Sequence, residues 1–168
     1  DIAYGIDISP CMAAKAARRG VRILVGRAEQ LPVKTSTIDG VLMALALCFL
    51  ENPDAALREC ARVLSDRGRL ILGVVPADSL WGRAYAIKGE EGHPAYSHAR
   101  FRTIKEIITL VEEAGFKFRL SHGALFWPPA SKPVGLSNTI QAITAEAGFV
   151  GLVFEARDLG WELRPSRP

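Results

Sequence analysis

Residues 26–73 read GRAEQLPVKTSTIDGVLMALALCFLENPDAALRECARVLSDRGRLILG, and this stretch decides the fold. An apolar run at residues 40–50 ends just before Asn52, a typical helix-capping residue. The helix predicted over residues 53–64 leads into a second apolar run at residues 70–75. Two apolar strands joined by one helix form a right-handed crossover with parallel strands. Such strands are continuously apolar because helices cover both faces of the sheet, so the stretch predicts an α/β protein.

The composition is that of a soluble globular domain. The chain has 168 residues, of which 49% are hydrophobic and 23% charged, and its formal net charge is +3. This charge is small and spread along the chain, so no nucleic-acid partner is expected. The sequence contains no apolar stretch near the roughly 20 residues that span a bilayer. It also shows no signal peptide, so we expect no membrane contact and a cytoplasmic location.

The three cysteines are Cys11, Cys48 and Cys60. They lack C-x-x-C spacing and each lies among apolar residues. Buried free thiols are therefore expected, with neither a disulfide nor a metal site.

The amino-terminal residues predict a strand, a helix and a second strand. A strand over residues 2–8 is followed by Ser9 and Pro10, which supply an N-cap hydroxyl and a proline at the first helical position. The predicted helix ends at Gly20, and the next strand covers residues 21–25.

The carboxyl-terminal half predicts two helices and a final hairpin. Asp78 or Ser79 can cap the first helix, and Thr103 with Glu106 forms a capping box that opens the second, which stops at Gly115. The strand that begins at Phe116 is expected to pair antiparallel with the last one. The predicted elements are helix 80–88, loop 89–99, helix 104–114, strand 116–126, loop 127–136, helix 137–147 and strand 149–156.

Two places suggest a nucleotide-type ligand. Asp7 lies at the carboxyl end of a strand and before a helix. A carboxylate in this position can accept hydrogen bonds from both ribose hydroxyls. A role in an ordinary turn accounts for Asp7 equally well. Ala28 and Glu29 follow the next strand, at the edge where ligands bind in such sheets, although Glu29 can equally be a solvated loop charge. Arg58, Glu59 and Arg62 are most simply interpreted as a solvated helix face.

Five short motifs give these segments a family likeness. They are GIDISPCM at residues 5–12, GRAEQLP at 26–32, IDGV at 38–41, ECARVL with GRLIL at 59–72, and EAGF at 113–116. Each motif alone is common, but their order and spacing over residues 4–120 are specific. The chain resembles the class I S-adenosylmethionine-dependent methyltransferases of the small-molecule, type 11-like kind.

The resemblance implies a Rossmann-like sheet of seven mostly parallel strands that ends in an antiparallel hairpin. The family's G-x-G-x-G loop after the first strand has no counterpart here, so the first strand and the amino-terminal helices are expected to be missing. Residues 1–158 would form the truncated methyltransferase domain and residues 159–168 a tail. Residues 65–68 replace the family's proline-glycine-glycine turn, and Arg27 would place a positive charge near the adenine.

The resemblance also implies a cofactor site. Asp7 would hold the ribose of S-adenosylmethionine, whose product is S-adenosylhomocysteine, and Ala28 and Glu29 would flank its adenine. The other implied contacts are apolar: Ile8, Met12 and Leu31 around the nucleoside, and Ala44, Leu45 and Ala46 at the methionine end.

The sequence says less about the residues that would bind the methyl acceptor. The sulfonium already activates the methyl group, so the enzyme mainly aligns the reactants, and a general base is needed only for a protonated acceptor. Candidate bases are His93, Tyr96 and His98, with Trp81 and Tyr85 as apolar walls; a solvated or packing role is the alternative for each. His122 is expected to be structural.

The predicted function is methyl transfer to a small-molecule acceptor, with residues 1–168 alone inactive and poor at binding cofactor. Two alternatives stay open. A nicotinamide-dependent oxidoreductase shares the acidic residue at the second strand, although the terminal hairpin argues against it. A non-catalytic binding protein could keep the fold without the activity.

Overall fold

The computed structural model describes residues 4–129, 131 and 147–157. This part of the chain contains six strands and four α-helices. The helix expected at 137–147 falls almost wholly outside the described residues, as do residues 158–168. The elements in chain order are β1 (Gly5–Asp7), α1 (Pro10–Arg18), β2 (Ile23–Val25), β3 (Ile38–Ala44), α2 (Pro53–Val63), β4 (Leu64–Val74), α3 (Leu80–Glu90), α4 (Ile104–Glu113), β5 (Phe116–Ala124) and β6 (Phe149–Ala156).

Local capping signals fix where the helices begin, as the sequence predicts. The Ser9 hydroxyl accepts a hydrogen bond from the backbone N–H of Met12, and the Asn52 side chain accepts one from Ala55. Ser79 caps α3, and the Thr103–Glu106 capping box is present in full. Each cap satisfies a backbone donor that the first turn of a helix would otherwise leave unpaired.

The strands form two sheets. β1 and β2 pair in parallel, and a second sheet has the order β3-β4-β6-β5. β3 and β4 are parallel, whereas β6 runs antiparallel to both β4 and β5. The crossover through α2 and the terminal antiparallel hairpin are both confirmed.

The strand predicted from the apolar run at residues 40–50 is wrong at both ends. β3 begins at Ile38 and ends at Ala44, because Leu45 has a φ of 54° and turns the backbone out of the extended conformation. A single 3-10 turn, Leu47–Phe49, follows. In the rest of the apolar run Leu47 is packed in the core, whereas Leu45 and Phe49 are exposed.

The strand expected over residues 70–75 begins earlier. β4 starts at Leu64, directly after α2, and Leu64 pairs with Ile38. The register then jumps, with Gly40 paired to Arg69, so residues 65–68 form an irregular bulge that has no partner on β3. Arg67 has a φ of 65°, so these residues keep a turn-like backbone within the bounds of the strand.

One face of the four-stranded sheet carries the core. Met43, Leu72 and Leu152 are neighbours across three strands and are buried. Leu57 of α2 and Val111 of α4 pack in the same cluster, and both are fully buried. These two helices therefore cover this face.

The opposite face is open in the described residues. Leu42, Ile71 and Leu120 are linked in register through Val153, and they are 52%, 38% and 44% exposed. The expectation of helices on both faces is thus fulfilled on one face only. A row of exposed aliphatic side chains on a sheet indicates a surface that something else covers.

The cysteines are free, as predicted, but they are not all buried. Cys11 is exposed on α1, Cys48 is half-buried and Cys60 is buried. Burial raises the pKa of Cys60 to about 12, so this thiol stays protonated and acts as a small apolar side chain. None of the helices in the described part of the chain is both long and apolar enough to cross a bilayer.

Candidate active site

Asp7 ends β1 in a geometry that leaves its carboxylate available. Its Oδ1 accepts a hydrogen bond from the backbone N–H of Ser9 at 2.8 Å. This bond uses one lone pair of one oxygen and fixes the side chain next to the start of α1. Oδ2 and the remaining lone pair can still accept hydrogen bonds from a pair of hydroxyl groups. Ile8 and Met12, the predicted apolar contacts, are exposed beside it.

The loop after β2 lies directly against the end of β1. Asp7 and Val25 are paired, and the backbone N–H of Gly26 donates to the carbonyl of Asp7 at 3.0 Å. Arg27 and Gln30 then form a bridge, with Gln30 N–H donating to the Arg27 carbonyl at 3.2 Å. Ala28 and Glu29 therefore form the tip of a tight turn that begins one residue after Gly26.

Arg27 forms ion pairs with two glutamates. Its Nε lies 3.6 Å from Oε2 of Glu29, and its Nη2 lies 3.6 Å from Oε2 of Glu51. Glu29 is the less exposed partner of the first pair, so the carboxylate next to the predicted adenine position is balanced by Arg27. Since Glu51 follows the 3-10 turn after β3, this ion pair also ties the loop after β2 to the segment after β3.

Ala44, Leu45 and Ala46, predicted to line the methionine end of the cofactor, lie where β3 ends. Leu45 is exposed, and its backbone N–H donates to the carbonyl of Gly73 at 2.7 Å. This bond holds the left-handed Leu45 against β4 at the point where β3 ends. Ala46 is half-buried against the core.

A polar pair that the sequence interpretation missed supports the loop after β2. Arg62 donates through Nε to Oε1 of Glu59 at 2.6 Å and through Nη2 to Oε2 at 2.8 Å. Glu59 also accepts from the backbone N–H of Leu31 at 2.7 Å. The interpretation of Glu59 and Arg62 as a solvated face is therefore wrong, whereas Arg58 is exposed as expected. The hydrogen bond from Arg62 lowers the pKa of Glu59, and the same bond raises the pKa of Arg62.

Two of the three candidate bases, His93 and Tyr96, lie in an aromatic cluster with Tyr85. The rings of Tyr85 and Tyr96 stack with centroids 4.5 Å apart, and His93 stacks on the other side of Tyr96 at 4.5 Å. Nδ1 of His93 accepts a hydrogen bond from the backbone N–H of Ala95 at 3.2 Å, so only Nε2 remains for proton transfer. His98 is exposed at the end of a 3-10 turn.

The two predicted walls have structural contacts. Nε1 of Trp81 donates to the carbonyl of Trp127 at 2.7 Å, and the Trp81 ring packs against Gly148. Tyr85 contacts Trp81 edge-on at 5.9 Å, and burial raises the pKa of its hydroxyl. Both residues pack within the protein, which is the alternative role considered for them.

A cleft at the carboxyl ends of β3 and β4 connects the cluster with Leu45. Phe101 lines this cleft and its ring lies 6.2 Å from that of Tyr85. The backbone N–H of Arg100 donates to the carbonyl of Cys48 at 2.7 Å and so holds the segment 100–102 across the cleft. Most of the lining is apolar: Leu45, Leu47, Cys48, Val74, Val75 and Phe101.

Comparisons with known proteins identify the family of the chain. A model of the methyltransferase domain family matches residues 2–72. A crystal structure from Thermotoga maritima, described as an S-adenosylmethionine-dependent methyltransferase and possible histamine N-methyltransferase, is 34% identical. It superposes with a TM-score of 0.82 over 93% of this chain and 73% of that one.

Curated relatives extend well beyond the matched part. An uncharacterized protein of Mycobacterium tuberculosis is 34% identical over 151 residues, which are 90% of this chain and 53% of that protein. A demethylmenaquinone methyltransferase of the same species is 37% identical over 81 residues, 47% of this chain and 35% of the enzyme. The chain therefore spans about half the length of the first of these relatives, and about a third of the second.

The match to the Thermotoga protein covers most of both chains at 34% identity. The motifs at Asp7 and at residues 26–32 lie inside the segment that the family model matches. The chain belongs to the class I S-adenosylmethionine-dependent methyltransferases, which use S-adenosylmethionine as the methyl donor.

Proposed function

We propose that the intact protein transfers a methyl group from S-adenosylmethionine to a small-molecule acceptor. The observation that carries the proposal is the contact between the end of β1 and the loop after β2. The Gly26 N–H is bonded to the Asp7 carbonyl, and this contact supports a single site formed by Asp7 and the turn of Ala28 and Glu29.

The donor and acceptor groups at this point match a nucleoside. A carboxylate with free lone pairs suits two ribose hydroxyls, and a turn with an acidic side chain suits an exocyclic amine. Ile8, Met12 and Leu31 supply apolar surface next to these groups. When bound, the cofactor supplies an electrophilic methyl group, and these residues hold and orient its nucleoside. Leu45 and its neighbours Ala44 and Ala46 would line the methionine end.

The apolar cleft beside Leu45 supports a small and mainly apolar acceptor. Phe101 and Cys48 line it, and the stacked Tyr96 and His93 lie beyond Phe101. In this proposal the cleft excludes water and orients the acceptor, and His93, Tyr96 or His98 takes a proton if the acceptor carries one. A cytoplasmic location fits such an enzyme, and we propose no nucleic-acid partner.

We further propose that a strand outside the described residues lies between the two sheets. Among the described residues β1 pairs only with β2, and β3 pairs only with β4, so each has an open edge. Exposed strand edges favour pairing with another strand. Leu42 on β3 is an exposed large apolar side chain, as are Leu24 and Val25 on β2 beside β1. An amino-terminal extension that supplies this strand would complete the domain of which residues 1–158 form the larger part.

Cross-linking tests where the donor binds. Ultraviolet irradiation of the intact protein with radiolabelled S-adenosylmethionine should label peptides that contain residues 5–12 or 26–32. An excess of S-adenosylhomocysteine should abolish the label. Label that survives competition, or that lies only in α4, would contradict the proposed site.

A further inference from the structure

The loop after β2 is held at its far end by side chains from a distant helix. Glu59 accepts a hydrogen bond from the backbone N–H of Leu31 at 2.7 Å, and Arg62 donates one to the carbonyl of Leu31 at 3.0 Å. Arg62 reaches further along the loop, to the carbonyl of Val33 at 2.8 Å and to Oγ1 of Thr35 at 3.3 Å. Both backbone groups of Leu31 are therefore satisfied by one pair of side chains.

The pair that makes these contacts is rigid. Glu59 and Arg62 are joined by two hydrogen bonds, and their side chains are only 19% and 26% exposed. A two-point guanidinium–carboxylate contact fixes orientation as well as distance. The helix α2 that carries them is itself anchored in the core by Leu57, Cys60 and Val63.

The turn that this pair supports has two fixed ends. At its start, Gly26 is bonded to the Asp7 carbonyl at 3.0 Å. At its end, Leu31 is bonded to Glu59 and Arg62. Ala28 and Glu29 lie between these points, only two or three residues from each. Loss of the second anchor would leave the turn attached at one end.

We propose that Glu59 and Arg62 are positioning residues that set the turn at residues 27–30 in the conformation that receives the adenine of the cofactor. This inference rests on the proposed function, because it takes Ala28, Glu29 and Leu31 as the adenine contacts. Neither side chain touches the cofactor in this scheme. They act by holding the backbone of the turn in its binding conformation before the cofactor arrives, so that binding does not have to order the turn.

A role in stability alone would have different consequences. If the pair only joined α2 to the loop, its loss would lower the melting temperature but leave the affinity of the folded protein unchanged. A positioning role predicts weaker cofactor binding in protein that is still fully folded. The two roles are separated by measuring affinity well below the melting temperature.

The test uses the intact protein with Arg62→Met, Arg62→Lys, Glu59→Gln and the control Arg58→Met. Arg58 lies on the same helix with the same charge, but its side chain is exposed. Calorimetry with S-adenosylhomocysteine is carried out at low temperature, where circular dichroism shows each variant to be folded. Amide hydrogen exchange of Leu31 is followed alongside that of Leu72 in the core.

Arg62→Met should raise the Kd for S-adenosylhomocysteine about tenfold. Arg62→Lys should raise the Kd to a similar extent, because one ammonium group cannot bridge Glu59, Leu31 and Val33 as the planar guanidinium does. Glu59→Gln should raise the Kd by a smaller factor, since its amide oxygen can still accept from Leu31. In all three variants the Leu31 amide should exchange faster, while Leu72 and the Arg58→Met control should match the wild type.

A folded Arg62→Met variant that binds S-adenosylhomocysteine within twofold of the wild type would overturn the positioning role and leave the proposed function intact. A wild-type protein that fails to bind would overturn the proposed function, and the positioning of adenine would fall with it. Equal acceleration of the Leu31 and Leu72 amides would also overturn the proposal, because it would mean general loosening of the fold.

Discussion

The backbone N–H of Ser9 donates a hydrogen bond to Oδ1 of Asp7 at 2.8 Å, so the carboxylate that ends β1 also shapes the turn into α1. Asp7 therefore accepts a hydrogen bond within the turn and, in the proposal, also holds the ribose. A single substitution could not separate these two effects. Asparagine retains an oxygen that can accept from Ser9 but removes the charge, whereas alanine removes both.

Asp7→Asn and Asp7→Ala should both weaken S-adenosylhomocysteine binding by about tenfold or more, because charge-assisted hydrogen bonds to the ribose are lost. Only Asp7→Ala should also lower stability through loss of the turn. Calorimetry and thermal unfolding measure the two effects, and Asp39→Asn, an exposed carboxylate on β3, is the control. Unchanged affinity in both Asp7 variants would refute the ribose assignment.

The contribution of Glu59 to stability should depend on pH. The hydrogen bond from Arg62 lowers the pKa of Glu59 in the folded protein below its ordinary value of 4.5. A lowered folded-state pKa means that the stabilisation is fully present above pH 4.5 and is lost as the pH falls through the folded-state value. The free energy of unfolding of wild type and Glu59→Gln should therefore differ at about pH 7 and converge as the pH falls through the folded-state pKa of Glu59. Urea unfolding over a series of pH values measures this, and a constant difference would disprove it.

Two glycines on or beside β6 should respond differently to a methyl group. A Cβ on Gly148 would overlap the Trp81 ring, whereas a Cβ on Gly151 meets nothing closer than the His122 carbonyl oxygen at 3.9 Å. Gly148→Ala should cost about 1–3 kcal/mol of stability by overpacking and should shift the tryptophan fluorescence. Gly151→Ala should change stability by less than about 0.5 kcal/mol. Similar effects at both positions would show that Trp81 does not pack on Gly148.

The open face of the sheet gives a test of the proposed extension. Leu57 is fully buried, and Leu57→Ala should cost about 2–5 kcal/mol in any version of the protein. Leu42 is 52% exposed in the described residues. If further chain covers it, Leu42→Ala in the intact protein should cost about as much as Leu57→Ala. A cost below about 0.5 kcal/mol, measured by urea unfolding, would mean that this face stays exposed.

The features that could be predicted from sequence are those fixed by neighbours in the chain. Ser9, Asn52 and Thr103 were identifiable as caps because each cap is a local interaction over three residues. The parallel crossover and the final hairpin followed from apolar runs and helix stops. Asp7 was identified through its place at the end of a strand, and its backbone is bonded to Gly26, where the loop after β2 begins; its cofactor role stays a prediction.

The features that were missed depend on distant contacts. β4 begins at Leu64, before the turn-like residues 65–68, because Leu64 pairs with the distant Ile38. Arg62 and Glu59 have the spacing of an exposed helical pair, yet their partner Leu31 is 28 residues from Glu59. Nothing in the local sequence indicates which loop a helix face will meet. The motif that contains both residues was the available signal, because it joins a Glu and an Arg three positions apart.

The central claim is that the intact protein binds S-adenosylmethionine at the ends of β1 and β2. Calorimetric titration of the full-length protein with S-adenosylhomocysteine, and separately with NADH, tests it most directly. The account predicts saturable binding of one S-adenosylhomocysteine per chain and no saturable binding of NADH. Binding of NADH in its place would identify an oxidoreductase, and binding of neither compound would contradict the cofactor site.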